Sequence, residues 1–155
     1  MLSFKEHKML NDPRFIKRFN EKYVINRKYD VPYVAGYSKD GKTFYIDRHL
    51  PLMDNKVNIE PYLLVHERTE KALIDIFGLR YEPAHRIALH MERKAVNTNN
   101  YISWKKYQNF YKKYVKGFAK EKLISPPPDL DLTPYKDEND TRLYKEISRD
   151  ETINR

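Results

Sequence analysis

Two consecutive amphipathic stretches, "PYLLVHERTEKALIDIFG" from Pro61 to Gly78 and "PAHRIALHMERKAV" from Pro83 to Val96, constrain this chain most. In the first, Leu63, His66, Glu67, Glu70, Leu73, Ile74 and Phe77 recur at spacings of three, four and seven, so they share one broad helix face. In the second, His85, Ala88, Leu89, Glu92 and Val96 do the same. Gly78 suits a helix C-cap and Pro83 a first-turn position. The "GLRYE" between them is short, which makes the helices antiparallel neighbours or a bent pair. Each helix thus turns a His and at least one Glu toward the side its periodicity marks as buried. An unpartnered charge there costs several kcal/mol, so these groups must be paired, bind a metal, or line a cleft.

Around this pair the chain reads as α+β. Asp12 caps a short helix that begins at Pro13 and carries Phe15, Ile16 and Phe19 as its apolar stripe. Two β-rich runs, Pro32 to Tyr37 and Thr43 to Asp47, flank "SKDG", where Asp40-Gly41 favours a tight turn. A hairpin is expected there, followed by a loop from Pro51 to Ile59. A third long helix, Ser103 to Lys120, carries Trp104, Tyr107, Tyr111, Tyr114, Val115 and Phe118 at helical spacing. The tail "SPPPDLDLTPY" reads as an extended strap, and Thr141 as the cap of a short last helix with Leu143, Tyr144 and Ile147. The expected architecture is a small antiparallel sheet covered by three or four helices. Residues 1–124 form one domain and 125–155 an extended tail.

Composition narrows the chemistry. The 155 residues include no Cys, which excludes disulfides and thiolate metal sites and leaves imidazole and carboxylate as metal ligands. Only four Gly are present, with no phosphate-loop or dinucleotide fingerprint. Thirty basic residues against 22 acidic ones give a net charge of +8, spread along the chain, which permits nucleic-acid contact without specifying it. No run is long enough to span a bilayer and the first residues lack the apolar centre of a signal peptide, so a cytoplasmic protein without membrane contact is expected.

The inward-facing polar residues have the makings of a metal site. His66 and Glu70 lie one turn apart and can reach one ion at about 2 Å. His85, on the next helix, completes a set of two His and one carboxylate with an open position for water. Glu67 stands beside the first ligand, where it can take a proton from metal-activated water. Glu92, two turns after His85, either orients a ligand or binds the ion itself. The alternative is a closed hydrogen-bonded network in which Arg68 or Arg86 neutralises the carboxylates. His85 also follows Glu82 at the spacing of a di-iron carboxylate motif, but only one copy is present.

"TFYIDRHLP" followed by a loop and "LLVHERTEKALID" resembles the core of zincin metallopeptidases of the gluzincin or ImmA/IrrE-like kinds. Tyr33 to Val96 also resembles an uncharacterised group of phage and bacterial proteins that share the pattern around "GYSKDGKTFYIDR", "HERTEK" and "YEPAH". The zincin resemblance implies that His66 is the first zinc ligand and Glu67 the general base. Glu70 stands where that family has a second His, and His85 where gluzincins use a carboxylate. The ligand types are thus kept as a set and exchanged in order.

The leading expectation is a zincin-like, metal-dependent hydrolase acting on peptides. His66, Glu70 and His85 hold zinc, and the Thr43 to Asp47 strand offers its edge to an extended substrate. His49, His90, Tyr81 and Arg86 are candidates to stabilise an oxyanion. The main rival is a non-enzymatic, phage-type structural or interaction protein, in the host cytoplasm or virion, whose tail and basic surface bind another protein. The third is a nucleic-acid-binding module using Lys105, Lys106, Lys112, Lys113, Lys116 and Lys120 beside the aromatic stripe.

Overall fold

The computed structural model describes residues 1–98, 102–118 and 125–134. Five helices and three short strands follow in the order α1 (Phe4–Leu10), α2 (Pro13–Phe19), β1 (Val24–Asn26), β2 (Ala35–Tyr37), β3 (Thr43–Ile46), α3 (Glu60–Phe77), α4 (Tyr81–Asn97) and α5 (Trp104–Phe118). The fold is α+β, as the periodicities indicate. The helix around Thr141 lies outside the described residues.

Local chemistry accounts for most of the boundaries. Asp12 accepts the Arg14 backbone N–H at 2.8 Å, with Pro13 in the first turn of α2. Gly78 ends α3 in the left-handed region at φ 64°, its N–H donating to the Ile74 carbonyl. Ser103 starts α5 by accepting the Lys106 N–H at 3.1 Å. In the β2–β3 turn, Asp40 Oδ1 accepts the Ser38 hydroxyl and the Lys42 N–H, and Gly41 takes φ 71°. α1 was not anticipated, although "SFKE" carries its signal. Ser3 and Glu6 form a reciprocal capping box, with each side chain accepting the other's backbone N–H.

The sheet departs from expectation in two ways. It is mixed, in the order β1-β3-β2: β2 pairs antiparallel with β3, and β1 adds to the other side of β3 in parallel. The Thr43 to Asp47 strand is therefore central and has no free edge to offer. β1 is three residues long, too short for a period of two to announce itself. On the outer side of β2, Asp131 N–H donates to the Tyr37 carbonyl and Lys39 N–H to the Asp129 carbonyl, so the strap borders the end of that strand.

α3 is the element around which the rest is packed. One flank meets α2 and α4 through Leu73, Ala72, Phe15, Ala84 and Ile87. Another meets the sheet and α5 through Leu63, Leu64, Tyr37, Ile46 and Tyr107. The described part of the α5 aromatic stripe is core, with Tyr107 fully buried and Trp104, Tyr111, Tyr114 and Val115 packed against the same cluster. Leu130 of the strap is fully buried with Val31 and Tyr45, so the chain's own body takes up that side chain. No helix among the described residues is long and apolar enough to cross a membrane.

Two stability predictions follow from these contacts. Leu130→Ala should cost about 2–4 kcal/mol in a denaturant titration, the range for a buried Leu leaving a cavity. An unchanged midpoint would mean that the strap is not part of the cooperative fold. Glu6 is held at about 2, below its ordinary 4.5, by the Ser3 N–H and by the Arg86 guanidinium at 2.8 Å. A lowered folded-state pKa contributes stability above pH 4.5 that fades as pH falls toward 2. Glu6→Gln should therefore cost about 1 kcal/mol at pH 7 and progressively less below pH 4.5, read as the gap between the two melting curves.

Candidate metal centre

α3 and α4 run antiparallel, so Glu70 of α3 meets His85 near the start of α4, and His66 meets Glu92 one to two turns further along. α4 begins at Tyr81, two residues earlier than Pro83 suggests, and this brings Tyr81 one turn before His85 on the same face. His66, Glu70 and Glu92 are buried, and Glu67 and His85 are half-buried.

Three of the predicted ligand atoms converge. His66 Nε2 lies 3.0 Å from Glu70 Oε2 and 3.1 Å from His85 Nδ1, which is itself 3.1 Å from Glu70 Oε2. These three residues form the metal-capable group found among the described residues. Bonds of about 2.0–2.1 Å at tetrahedral angles place neighbouring ligand atoms about 3.3–3.4 Å apart. The triangle therefore needs to widen by only a few tenths of an ångström to become one face of such a site.

His85 Nδ1 has a third polar neighbour, the Tyr81 hydroxyl at 3.0 Å, yet a ring nitrogen offers a single proton or a single lone pair. Glu70 Oε2 can accept a proton from each imidazole, and one cation between the three atoms would instead take a lone pair from each. The residues fit a divalent ion with nitrogen and oxygen ligands.

The surrounding groups orient the triangle. His66 Nδ1 lies 2.7 Å from Glu92 Oε1, so its N–H donates to that carboxylate and Nε2 is the nitrogen turned toward Glu70 and His85. Tyr107 donates its hydroxyl to the other Glu92 oxygen, and Tyr37 donates to Glu70 Oε1 at 2.7 Å. Of the two roles expected for Glu92, the geometry favours orienting His66. Burial opposes charge on His66, but its hydrogen bonds to Glu70 and Glu92 outweigh burial and push its pKa well up. Burial likewise works against the Glu70 carboxylate, and bonds from His66, His85 and Tyr37 reverse this and bring it down to about 2.

Glu67 has the opposite environment. It lines the same cleft, of about 320 Å³, and no hydrogen bond reaches its carboxyl among the described residues. Burial, followed by the Glu70 charge, pushes it up to about 8. Adjacent carboxyls on one helix are thus driven apart, one fixed as an anion and one disposed to carry a proton.

The cations proposed to neutralise a closed network are elsewhere. Arg86 pairs with Glu6, and Arg68 stacks over Phe19 and Tyr23. Among the described residues, no Lys or Arg ion pair reaches Glu67, Glu70 or Glu92. Glu82 is exposed and takes no part, which removes the di-iron spacing from consideration. Asp47 is structural, accepting the Val31 and His49 N–H groups and the Tyr114 hydroxyl. His49 is exposed beside Asp30, and neither it nor His90 lines the cleft; Tyr81 does, and Arg86 does not. Tyr37 and Tyr107 were missed as site residues. Their only sequence signal was an excess of Tyr, since each lies far in sequence from the carboxylate it holds.

Comparison of the chain with protein-family models, with curated proteins and with solved structures finds no match in any of the three. The zincin resemblance of "HERTE" is carried by these residues alone.

A double-mutant cycle tests the orienting shell. Tyr107→Phe and Glu92→Gln should each destabilise by about 1–3 kcal/mol. Their coupling should be at least about 0.5 kcal/mol, because the two groups share one hydrogen bond. Simple additivity would place Tyr107 outside the network.

Proposed function

We propose that this protein is a zinc-dependent hydrolase of the zincin type, acting on peptide bonds. His66 Nε2, Glu70 Oε2 and His85 Nδ1 hold the metal, and Glu67 moves the proton. The observation that carries this reading is the triangle of ligand atoms 3.0–3.1 Å apart beside an acid that no hydrogen bond reaches among the described residues. When bound, zinc would polarise a carbonyl and make a water molecule more acidic.

The chain's own residues supply the remainder. Glu67 accepts a proton at the cleft and returns it to the departing amine, a role open to a carboxyl that lines the cleft beside the triangle. Glu92 keeps His66 in one tautomer and one orientation, and Tyr37 does the same for Glu70. With β3 central in the sheet and the strap bonded to the Tyr37 carbonyl, pairing of a substrate with the sheet is confined to the outer side of β2 at Ala35. Ala35, Gly36 and Tyr37 line the cleft. The Val34 carbonyl accepts the Asp47 N–H just past β3 and the Ser38 N–H donates to the Thr43 carbonyl, so the alternation of an antiparallel ladder turns the Ala35 N–H and C=O away from β3. An extended peptide can pair there beside the triangle.

The competing reading is an interaction protein in which His66 carries both ring protons and Glu70 and Glu92 close a network without metal. Its support is the pair of short contacts from one imidazole to two carboxylates. Metal analysis of purified protein separates the two. About one zinc per chain is expected, lost in both His66→Ala and His85→Ala. Glu67→Gln should retain the metal and lower peptide cleavage by about 100-fold or more. A metal-free protein that fails to take up added zinc would favour the closed network. Full turnover in zinc-loaded Glu67→Gln would remove Glu67 as the base.

A further inference from the structure

The face of α3 opposite the His/Glu triangle carries Arg68 and Lys71, since successive residues advance about 100° around the helix. There, α2, the segment leading to β1, the β2–β3 turn and α3 enclose a second pocket of about 80 Å³. Its lining includes five basic residues, Arg18, Lys22, Lys42, Arg68 and Lys71, against two acidic ones, Glu21 and Asp40.

Arg68 is the unusual member. Its guanidinium carbon lies 4.0 Å from the Phe19 ring centroid and 4.6 Å from that of Tyr23, so two aromatic faces hold it in place. One N–H donates to the Phe19 carbonyl. A guanidinium has five N–H donors, and no carboxylate lies within ion-pair distance of this one among the described residues. Its neighbours differ: Arg18 binds Asp75 at 2.6 Å, and Lys71 binds Asp75 and Asp131 at 3.1 and 3.0 Å. The acids in the lining are also engaged, Asp40 by Ser38 and the Lys42 N–H, and Glu21 by Arg18. Gly41 takes φ 71° in the turn that lines the pocket, a conformation L side chains rarely adopt. The result is a preformed, half-buried cation with unused donors, flanked by the exposed Lys22 and Lys42.

We propose that this pocket binds a phosphate group, with Arg68 as its planar two-pronged donor and Lys22 and Lys42 closing on the remaining oxygens. Convergence of cations from three chain segments suits a tetrahedral oxyanion better than a planar carboxylate. The volume suits one phosphate rather than a nucleoside. The group can belong to a free phosphate ester or to a nucleic-acid backbone, and the overall charge of +8 is compatible with either. The site is independent of any metal at the triangle.

The test compares wild type, Arg68→Met and the double variant Lys22→Gln/Lys42→Gln, each checked for native circular dichroism. Thermal shift is measured in inorganic phosphate against chloride at matched ionic strength. Binding of a labelled short single-stranded oligodeoxynucleotide is followed by anisotropy at several salt concentrations. Phosphate should stabilise the wild type over chloride, with apparent affinity about tenfold weaker in Arg68→Met and severalfold weaker in the double variant. The double variant changes only exposed side chains, so it decides the matter if Arg68→Met fails to fold. Oligonucleotide binding weakened in the same order, with a shallower salt slope, assigns the phosphate to a nucleic-acid backbone. Oligonucleotide binding that is absent, or equal in all three, assigns it to a free ester. No phosphate-specific stabilisation of the wild type, or an equal response in all three proteins, overturns the site.

Discussion

The His66 imidazole is gripped from both sides, by Glu92 at Nδ1 and by Glu70 and His85 at Nε2, and the α3–α4 pair is organised around that grip. A buried imidazole between two carboxylates is tolerable only if every partner is itself held. Tyr107 holds Glu92 and Tyr37 holds Glu70, so α5 and the sheet are drawn into the same network. Removing the ring would leave two buried carboxylates facing each other with no Arg or Lys ion pair among the described residues. The same grip sets His66 Nε2, Glu70 Oε2 and His85 Nδ1 within 3.1 Å of one another beside the cleft.

α3 also separates two regions of opposite character. One face collects Glu67, Glu70 and, across the helix pair, Glu92, around the larger cleft. The other face carries Arg68 and Lys71, which with Arg18, Lys22 and Lys42 line the smaller pocket. On that 18-residue helix the cations of the second face are stacked on aromatics: Arg68 on Phe19 and Tyr23, and Lys71 over Tyr37. The large number of Tyr in this chain has a structural use here, since a phenol offers an apolar ring to the core and a hydroxyl to a buried carboxylate.

How far the sequence could be read varied with the range of the interaction involved. The long helices were legible because their stripes repeat over four or more turns, and the β2–β3 hairpin because Asp40-Gly41 requires a special turn. Candidate ligands His66, Glu70 and His85 were legible because polar residues on an apolar face demand an explanation. The "SFKE" capping box of α1 was present and overlooked. β1 was not legible, because three residues carry no period, and without it β3 looked like an edge strand. The fate of Leu130 was also hidden, since an apolar residue in a Pro-rich strap says only that something covers it.

By itself the chain specified its helices, its turn, its lack of thiol chemistry and the residue types able to meet in the core. Those are properties of neighbours a few positions apart or of composition. Which carboxylate would be anchored and which left without a partner depended on groups brought from afar. Tyr37 reaches Glu70 across 33 positions and Tyr107 reaches Glu92 across 15, while nothing among the described residues hydrogen-bonds Glu67. Glu67 and Glu70 lie on one helix within a single turn, yet the fold drives their proton affinities in opposite directions. Burial and hydrogen bonding set that difference, and both are fixed only when the sheet, α4 and α5 close around α3.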